Sequence, residues 1–130
     1  MGELSEFSFP VRAFLKAYPW RQIDPTPWTP LRKRLGESRL ALVSSAGFVS
    51  PGEEPFDASI RGGDPSFREI RSDVDVRTLV DAHRSRSFDH TGITLDPNLA
   101  LPVDRLRELV QNGRIGSVGT RHLSFMGSIT

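Results

Sequence analysis

The sequence predicts an α/β fold, a partial parallel sheet of βαβ type with flanking helices and a proline-rich N-terminal segment. Three observations carry this. Leu40-Ala41-Leu42-Val43 is a short continuous apolar run, the pattern of a strand buried on both faces. Val103, Leu106, Leu109 and Val110 fall on one face of a helix. Ile115 to Phe125 then reads as a turn followed by a strand. Strand, helix and strand in that order point to a parallel pair joined by a crossover.

The remaining elements follow along the chain. Val11, Phe14, Leu15 and Tyr18 recur at i, i+3, i+4 and i+7, with Pro10 suited to a first helical turn and Pro19 stopping the helix. Trp20 to Glu37 is rich in proline (Pro25, Pro27 and Pro30 around Trp28), so an extended, stiff segment is expected, wrapping the domain with its tryptophans turned inward. Arg32-Lys33-Arg34 reads as a solvated helix end. A strand is expected at Phe67 to Ile70. Asp73 or Asp75 then caps a helix whose stripe is Val76, Leu79, Val80 and His83. Arg84 to Leu99 reads as a loop. Pro102 and Asp104 suit the first turn of the next helix, and Asn112-Gly113 ends it, the glycine supplying a left-handed conformation. Two regions result: a helix and proline-rich segment over 1–37, and an α/β domain over 38–130 that is expected to be incomplete at its C-terminus.

Composition limits the chemistry. The 130 residues hold no cysteine, so no disulfide, thiolate metal site or thiol nucleophile resides in them. Seventeen basic residues against 16 acidic ones leave a net charge of +1, which offers no electrostatic footprint for nucleic acid or an anionic membrane. No apolar run approaches the roughly 20 residues a membrane helix needs, and Glu3 and Glu6 interrupt any secretory signal pattern. A cytoplasmic protein is the expectation.

Polar residues gather at expected strand ends and loops. Ser44-Ser45-Ala46-Gly47 follows the first strand, but with neither G-x-G-x-x-G nor a Walker lysine it is a weak phosphate-loop signal. No G-x-S-x-G elbow supports a serine hydrolase. Thr120, His122 and Ser124 share one face of the last strand. Ligands of parallel sheets sit at carboxyl strand ends, so Ser44, Ser45, His122 and Ser124 are expected to line one crevice, joined by His90 and Asp89. His83 is expected to pack on the helix stripe. The three histidines also allow a zinc site, although no H-x-H or H-x-x-x-H pair is present. Asp64, Ser66 and Arg68 read two ways. Arg68 either clamps a substrate carboxylate, or pairs at the surface beside an Asp64 turn. Asp96 and Asn98 lie two apart and point the same way if extended, with Asn98 orienting its loop.

At several segments the chain resembles a known family. They are Ala41-Leu42-Val43-Ser44-Ser45-Ala46-Gly47, Pro55-Phe56-Asp57, Gly63-Asp64-Pro65-Ser66-Phe67-Arg68-Glu69-Ile70, Phe88-Asp89-His90-Thr91, Asp96-Pro97-Asn98, Pro102-Val103-Asp104-Arg105-Leu106-Arg107-Glu108-Leu109 and His122-Leu123-Ser124-Phe125-Met126-Gly127. Together and in order, over about residues 40 to 127, they resemble the selenoprotein B subunit of the glycine, sarcosine, betaine and D-proline reductases and its cysteine-containing relatives. The resemblance implies reductive cleavage of a carbon–nitrogen bond. A pyruvoyl group on a partner subunit activates a small amine or amino acid, and a selenol or thiol attacks its α-carbon, with a thioredoxin-type reductant behind it.

The family's redox residue lies beyond the S-F-M-G segment, so the thiol or selenol is expected from outside this chain. Its source would be a second reductase subunit or a C-terminal redox half, and no cofactor is expected in the chain itself. On this reading His90, Asp89 and His122 are the catalytic candidates. Ser44, Ser45, Asp64, Ser66, Arg68, Asn98 and Ser124 are the substrate-binding ones. The alternatives are a non-catalytic small-molecule binding or assembly module, and a histidine-based metal protein. An exposed strand edge behind Phe125 would also favour association, including a homo-oligomer.

Overall fold

A computed structural model describes residues 3–19, 22–86 and 88–127. The chain divides into two units, Met1–Leu31 and Arg32–Thr130. In the first, helix α1 spans Phe9–Ala17 with Pro10 in its first turn, where the missing N–H breaks no helical hydrogen bond. It closes with the Tyr18 N–H on the Phe14 carbonyl (2.9 Å), and the Phe14 and Tyr18 rings lie 5.7 Å apart. The expected apolar stripe is therefore on a helix, but no described residue of this unit is buried. Trp28, expected to turn inward, is 82% exposed, and Trp20 falls outside the described residues.

The second unit is built on short strands: β1 (Arg39–Leu40), β2 (Val43–Ser44), β3 (Phe48–Val49), β4 (Arg68–Arg71), β5 (Val80–Asp81), β6 (Ser117–Val118) and β7 (Arg121–Ser124). Helices α2 (His90–Leu95) and α3 (Val103–Gln111) lie between β5 and β6. β1 pairs with β6 and β2 with β7, both parallel, so the strand–helix–strand expectation holds. β4 adds to β7 antiparallel, and β3 and β5 form a separate antiparallel pair, which makes the whole mixed.

The two parallel ladders do not share one register. Leu40 faces Val118 and Val43 faces Leu123, so two residues on one side (Ala41 and Leu42) oppose four on the other (Gly119 to His122). A bulge of this kind leaves ladder groups without backbone partners. The Leu42 N–H is one of them, and its acceptor is a side chain, described below.

One sheet face packs on the core of Ala46, Phe48, Ile70, Val76, Ile93, Leu101 and Val103. α3 contributes because its apolar stripe buries Val103 and Leu106, while Asp104 complements its N-terminal dipole. Gly113, at φ 64°, ends α3 as expected. The other face is open: Val43 is 70% and Phe67 51% exposed. The reading of 40–43 as buried on both faces is corrected here, since among the described residues only the core side is covered.

Two helix assignments also change. Val76–Thr78 is a single 3-10 turn, capped by Asp75 accepting the Arg77 N–H (3.0 Å), and the chain then enters β5. Val80 pairs with Val49 and Asp81 with Phe48, so tertiary ladder bonds override a weak helical stripe of β-branched residues. The segment 84–99, expected as a loop, contains α2 and the 3-10 turn Pro97–Leu99. Asp89 caps the first through the Gly92 N–H (2.9 Å) and Asp96 the second through the Asn98 N–H (3.0 Å). Both caps were legible as Asp residues and were read as loop.

Candidate functional site at the carboxyl end of β2

A crevice of about 380 Å³ opens where β2 ends. Val43, Ser44, Ser45 and Ala46 form one side, Phe88, Asp89 and Ile93 the second, and Leu99 and Ala100 the third. It lies where ligands of open α/β sheets usually lie. The chain leaves β2 through Gly47, at φ 69°. A Cβ there would stand 3.0 Å from the Cα and backbone nitrogen of His83, so close crossing of two segments demands glycine. Gly47 is bonded on both sides: its N–H to the Phe125 carbonyl (2.7 Å), its carbonyl to the Ala82 N–H (3.1 Å).

Ser44 and Ser45 divide the work. The buried Ser44 hydroxyl donates to the Ala100 carbonyl (2.8 Å) and accepts the Ala46 N–H (3.2 Å), tying β2 to the turn before α3. Ser45 is exposed on the crevice wall. Asp89 is also exposed, one carboxylate oxygen capping α2.

The histidines separate instead of converging. His122 lies on β7 opposite Ile70 and is fully buried. Its Nδ1 accepts the Leu42 N–H (3.0 Å), filling the acceptor position that the bulge vacates. An accepting Nδ1 fixes the neutral ring with its proton on Nε2. Burial, and then the Arg107 charge, hold its pKa below the ordinary value, consistent with that form. The Nε2 and the Ser124 hydroxyl, both sealed from solvent, have no hydrogen-bond partner among the described residues.

His90 points elsewhere. Its Nδ1 meets the Asp81 carboxylate and its Nε2 the Ser85 carbonyl (2.9 Å). The Asp81 hydrogen bond, then the Ser85 one, raise its pKa. His83 stacks on Phe88 at 4.2 Å and accepts the Ser85 N–H on Nδ1 (3.1 Å). Burial lowers its pKa.

The expectation that His90 and His122 share the crevice is therefore corrected, because neither lines it. One is consumed by a bulge and the other by a loop. His83 packs on a ring in its own loop instead of a helix stripe. For the metal alternative, no group of three or more His, Asp or Glu is placed to hold an ion among the described residues.

Asp64, Ser66 and Arg68 do come together, as a staple. Asp64 accepts the Asp57 and Ser66 N–H groups (both 2.8 Å); hydrogen bonding from the Ser66 side chain first, then these two N–H bonds, lowers its pKa to about 2. Arg68 donates to Glu54 O (3.0 Å), Pro55 O (3.1 Å) and Ser66 Oγ (2.9 Å), with its guanidinium 4.4 Å over the Phe56 ring. These bonds spend its donors on closing the 53–68 loop, away from the crevice lining. Asn98 accepts the Asp104 N–H (3.1 Å) and donates to Asp96 and Asp104, capping α3 from six residues upstream.

Sequence reasoning missed Asp81 and Arg107. Arg107 donates to Ser72 O (2.8 Å), Val74 O (2.6 Å) and Asp104 (2.7 Å), anchoring the turn after β4. Its position on α3 at the edge of the apolar stripe, one turn from Val103, gave no local signal. Asp81 likewise looks like one more surface carboxylate until β5 pairs with β3.

The family model for glycine/sarcosine/betaine reductase selenoprotein B matches residues 10–130. The chain belongs to that family. It is similar to D-proline reductase subunit gamma of Acetoanaerobium sticklandii, 33% identical over 106 residues, covering 81% of this chain and 42% of that one. It is also similar to glycine reductase complex component B subunit gamma of Symbiobacterium thermophilum (33% over 105 residues, 78% and 24%) and to sarcosine reductase complex component B subunit beta of Peptoclostridium acidaminophilum (28% over 121 residues, 90% and 27%). The chain thus spans less than half the length of these relatives, which are named as subunits or components of reductases. No solved structure matches. Among the described residues no helix is long and apolar enough to cross a membrane.

Proposed function

We propose that this chain is the substrate-side component of an amino-acid reductase, supporting reductive cleavage of a carbon–nitrogen bond in a small amine or amino acid. Family membership supports the reaction class. The observation that carries the site is the crevice at the carboxyl end of β2, which exposed Ser45 and Asp89 line together with the apolar Phe88 and Ile93. A neutral hydroxyl and a carboxylate over an apolar floor suit a substrate with one ammonium group: Asp89 meets the charge and Ser45 orients the neighbouring polar group. Behind this surface His122 holds β2 against β7, and Ser44 ties β2 to the turn before α3.

The thiol or selenol and its thioredoxin-type reductant come from outside, because the chain has no cysteine. The pyruvoyl group stays on a partner subunit. The open sheet face around Val43 and Phe67 is where a second subunit or redox half docks, since large apolar side chains stand exposed there.

Titration of the isotope-labelled chain with glycine, sarcosine, betaine and D-proline, followed by backbone amide shifts, tests the reading. At least one ligand is expected to move the Ser45, Ala46 and Asp89 amides at up to ~1 mM, the upper range of ordinary Michaelis constants. Shifts confined to other regions, or none, would sink it.

A further inference from the structure

Both ring nitrogens of His90 face groups that only accept. Nδ1 meets the Asp81 carboxylate and Nε2 the Ser85 carbonyl (2.9 Å). A neutral imidazole has one N–H and satisfies one such partner, whereas the imidazolium satisfies both. Asp81 is doubly engaged, since its other oxygen accepts the His83 N–H (2.9 Å). The carboxylate thus ties the end of β5 to its own following loop and to the first residue of α2. The His83, Phe88 and His90 rings form a triangle, Phe88 lying 4.2 Å from His83 and 5.6 Å from His90 with the two histidines 6.2 Å apart, centroid to centroid. Phe88 and Asp89 are the crevice wall.

We propose that Asp81 is a positioning residue, which holds His90 as a doubly protonated clamp and thereby sets the Phe88–Asp89 wall of the crevice. That the crevice is a substrate site rests on the function proposed above; the clamp itself does not. The charged groups around it are Asp81 on β5, His83 and Arg84 in the loop, and Asp89 at the start of α2. Asp81 and Asp89 favour the cation, and His83 is kept neutral by its burial and by accepting the Ser85 N–H.

The sign follows from the raised pKa of His90. The clamp is fully present below the unfolded value of about 6.5 and is lost as pH rises through the higher folded value. Above it, one of the two ring contacts sets a lone pair against an acceptor, and the loop loosens.

Amide hydrogen exchange of the full 130-residue chain, corrected for intrinsic rates across pH 6 to 9, reads this directly. In the wild type, protection of residues 82–86 and 88–90 is expected to fall in one step with rising pH while α3 stays protected. Asp81→Asn is expected to lose that protection at all pH values, and Asp81→Glu, which keeps the charge, to retain a step. His90→Gln cannot titrate and should give a flat profile, whether or not Asp81→Asn folds. A wild-type profile without a step, or a step that survives in His90→Gln, would overturn the clamp. The experiment needs no ligand, so a chain that binds no amino acid leaves the clamp standing, and a flat profile leaves the amino-acid site standing.

Discussion

His122 and His90 carry the same ring into opposite electrical states, and the difference lies in what each nitrogen faces. His122 sits on β7 in the core and receives an N–H on Nδ1, so it is neutral. His90, half-exposed at the start of α2, presents both nitrogens to acceptors, an arrangement that favours the charged ring. The first ring repairs a register shift between two parallel ladders, and the second fastens a loop beside a crevice. Each ring is already engaged at Nδ1. A histidine's part in such a site is therefore read from its partners before its pKa.

The largest break in that comparison is at His122. Replacing it with alanine strands the Leu42 N–H and leaves a void behind Ile70, so urea unfolding should show a loss of about 3 kcal/mol, an orphaned donor plus a cavity. A loss under half of that would mean that the bulge finds another acceptor. Next comes Gly47→Ala, which forces a Cβ against the His83 backbone at positive φ. A cost of about 1–2 kcal/mol is expected in thermal unfolding, with extra exchange at 82–83. Asp89→Ala removes the α2 cap and should cost about 1 kcal/mol by the same measurement, with α3 unaffected.

The smallest effect sharpens the contrast most. His122, with a depressed pKa, contributes stability that is present above about pH 6.5 and is lost as pH falls through its folded value. His90 contributes stability present below about pH 6.5 and lost as pH rises. Stability measured from pH 5 to 9 should therefore lose its alkaline slope in His90→Gln and keep its acid slope. Asp64, at about 2, adds stability above pH ~4 that disappears only in stronger acid.

Much of the frame was legible in the sequence. The strand after Leu40, the helix over Val103 to Gln111, its Gly113 stop and the last strand all follow from apolar spacing and turn chemistry. The family was legible too, from segments spread over two thirds of the chain. What spacing could not supply was partnership at a distance. His122 meets Leu42 eighty residues away, and Arg107 reaches Ser72 and Val74 across the fold. β5 was read as a helix because Val76 to His83 repeats helically while its ladder partner, β3, lies thirty residues upstream. The crevice serines were found because strand ends are predictable, and Asp81 was missed because its role exists only after that pairing.

The measurement that bears most directly on the two-histidine account is a long-range proton–nitrogen correlation spectrum of the imidazoles at pH 7, followed through titration. The account predicts His122 with a bare Nδ1 and a protonated Nε2, resisting protonation below pH 6.5, and a His90 with both nitrogens protonated at the acid end that gives up a proton only above the ordinary imidazole value. Two rings titrating together near 6.5, or a His122 with its proton on Nδ1, would contradict it.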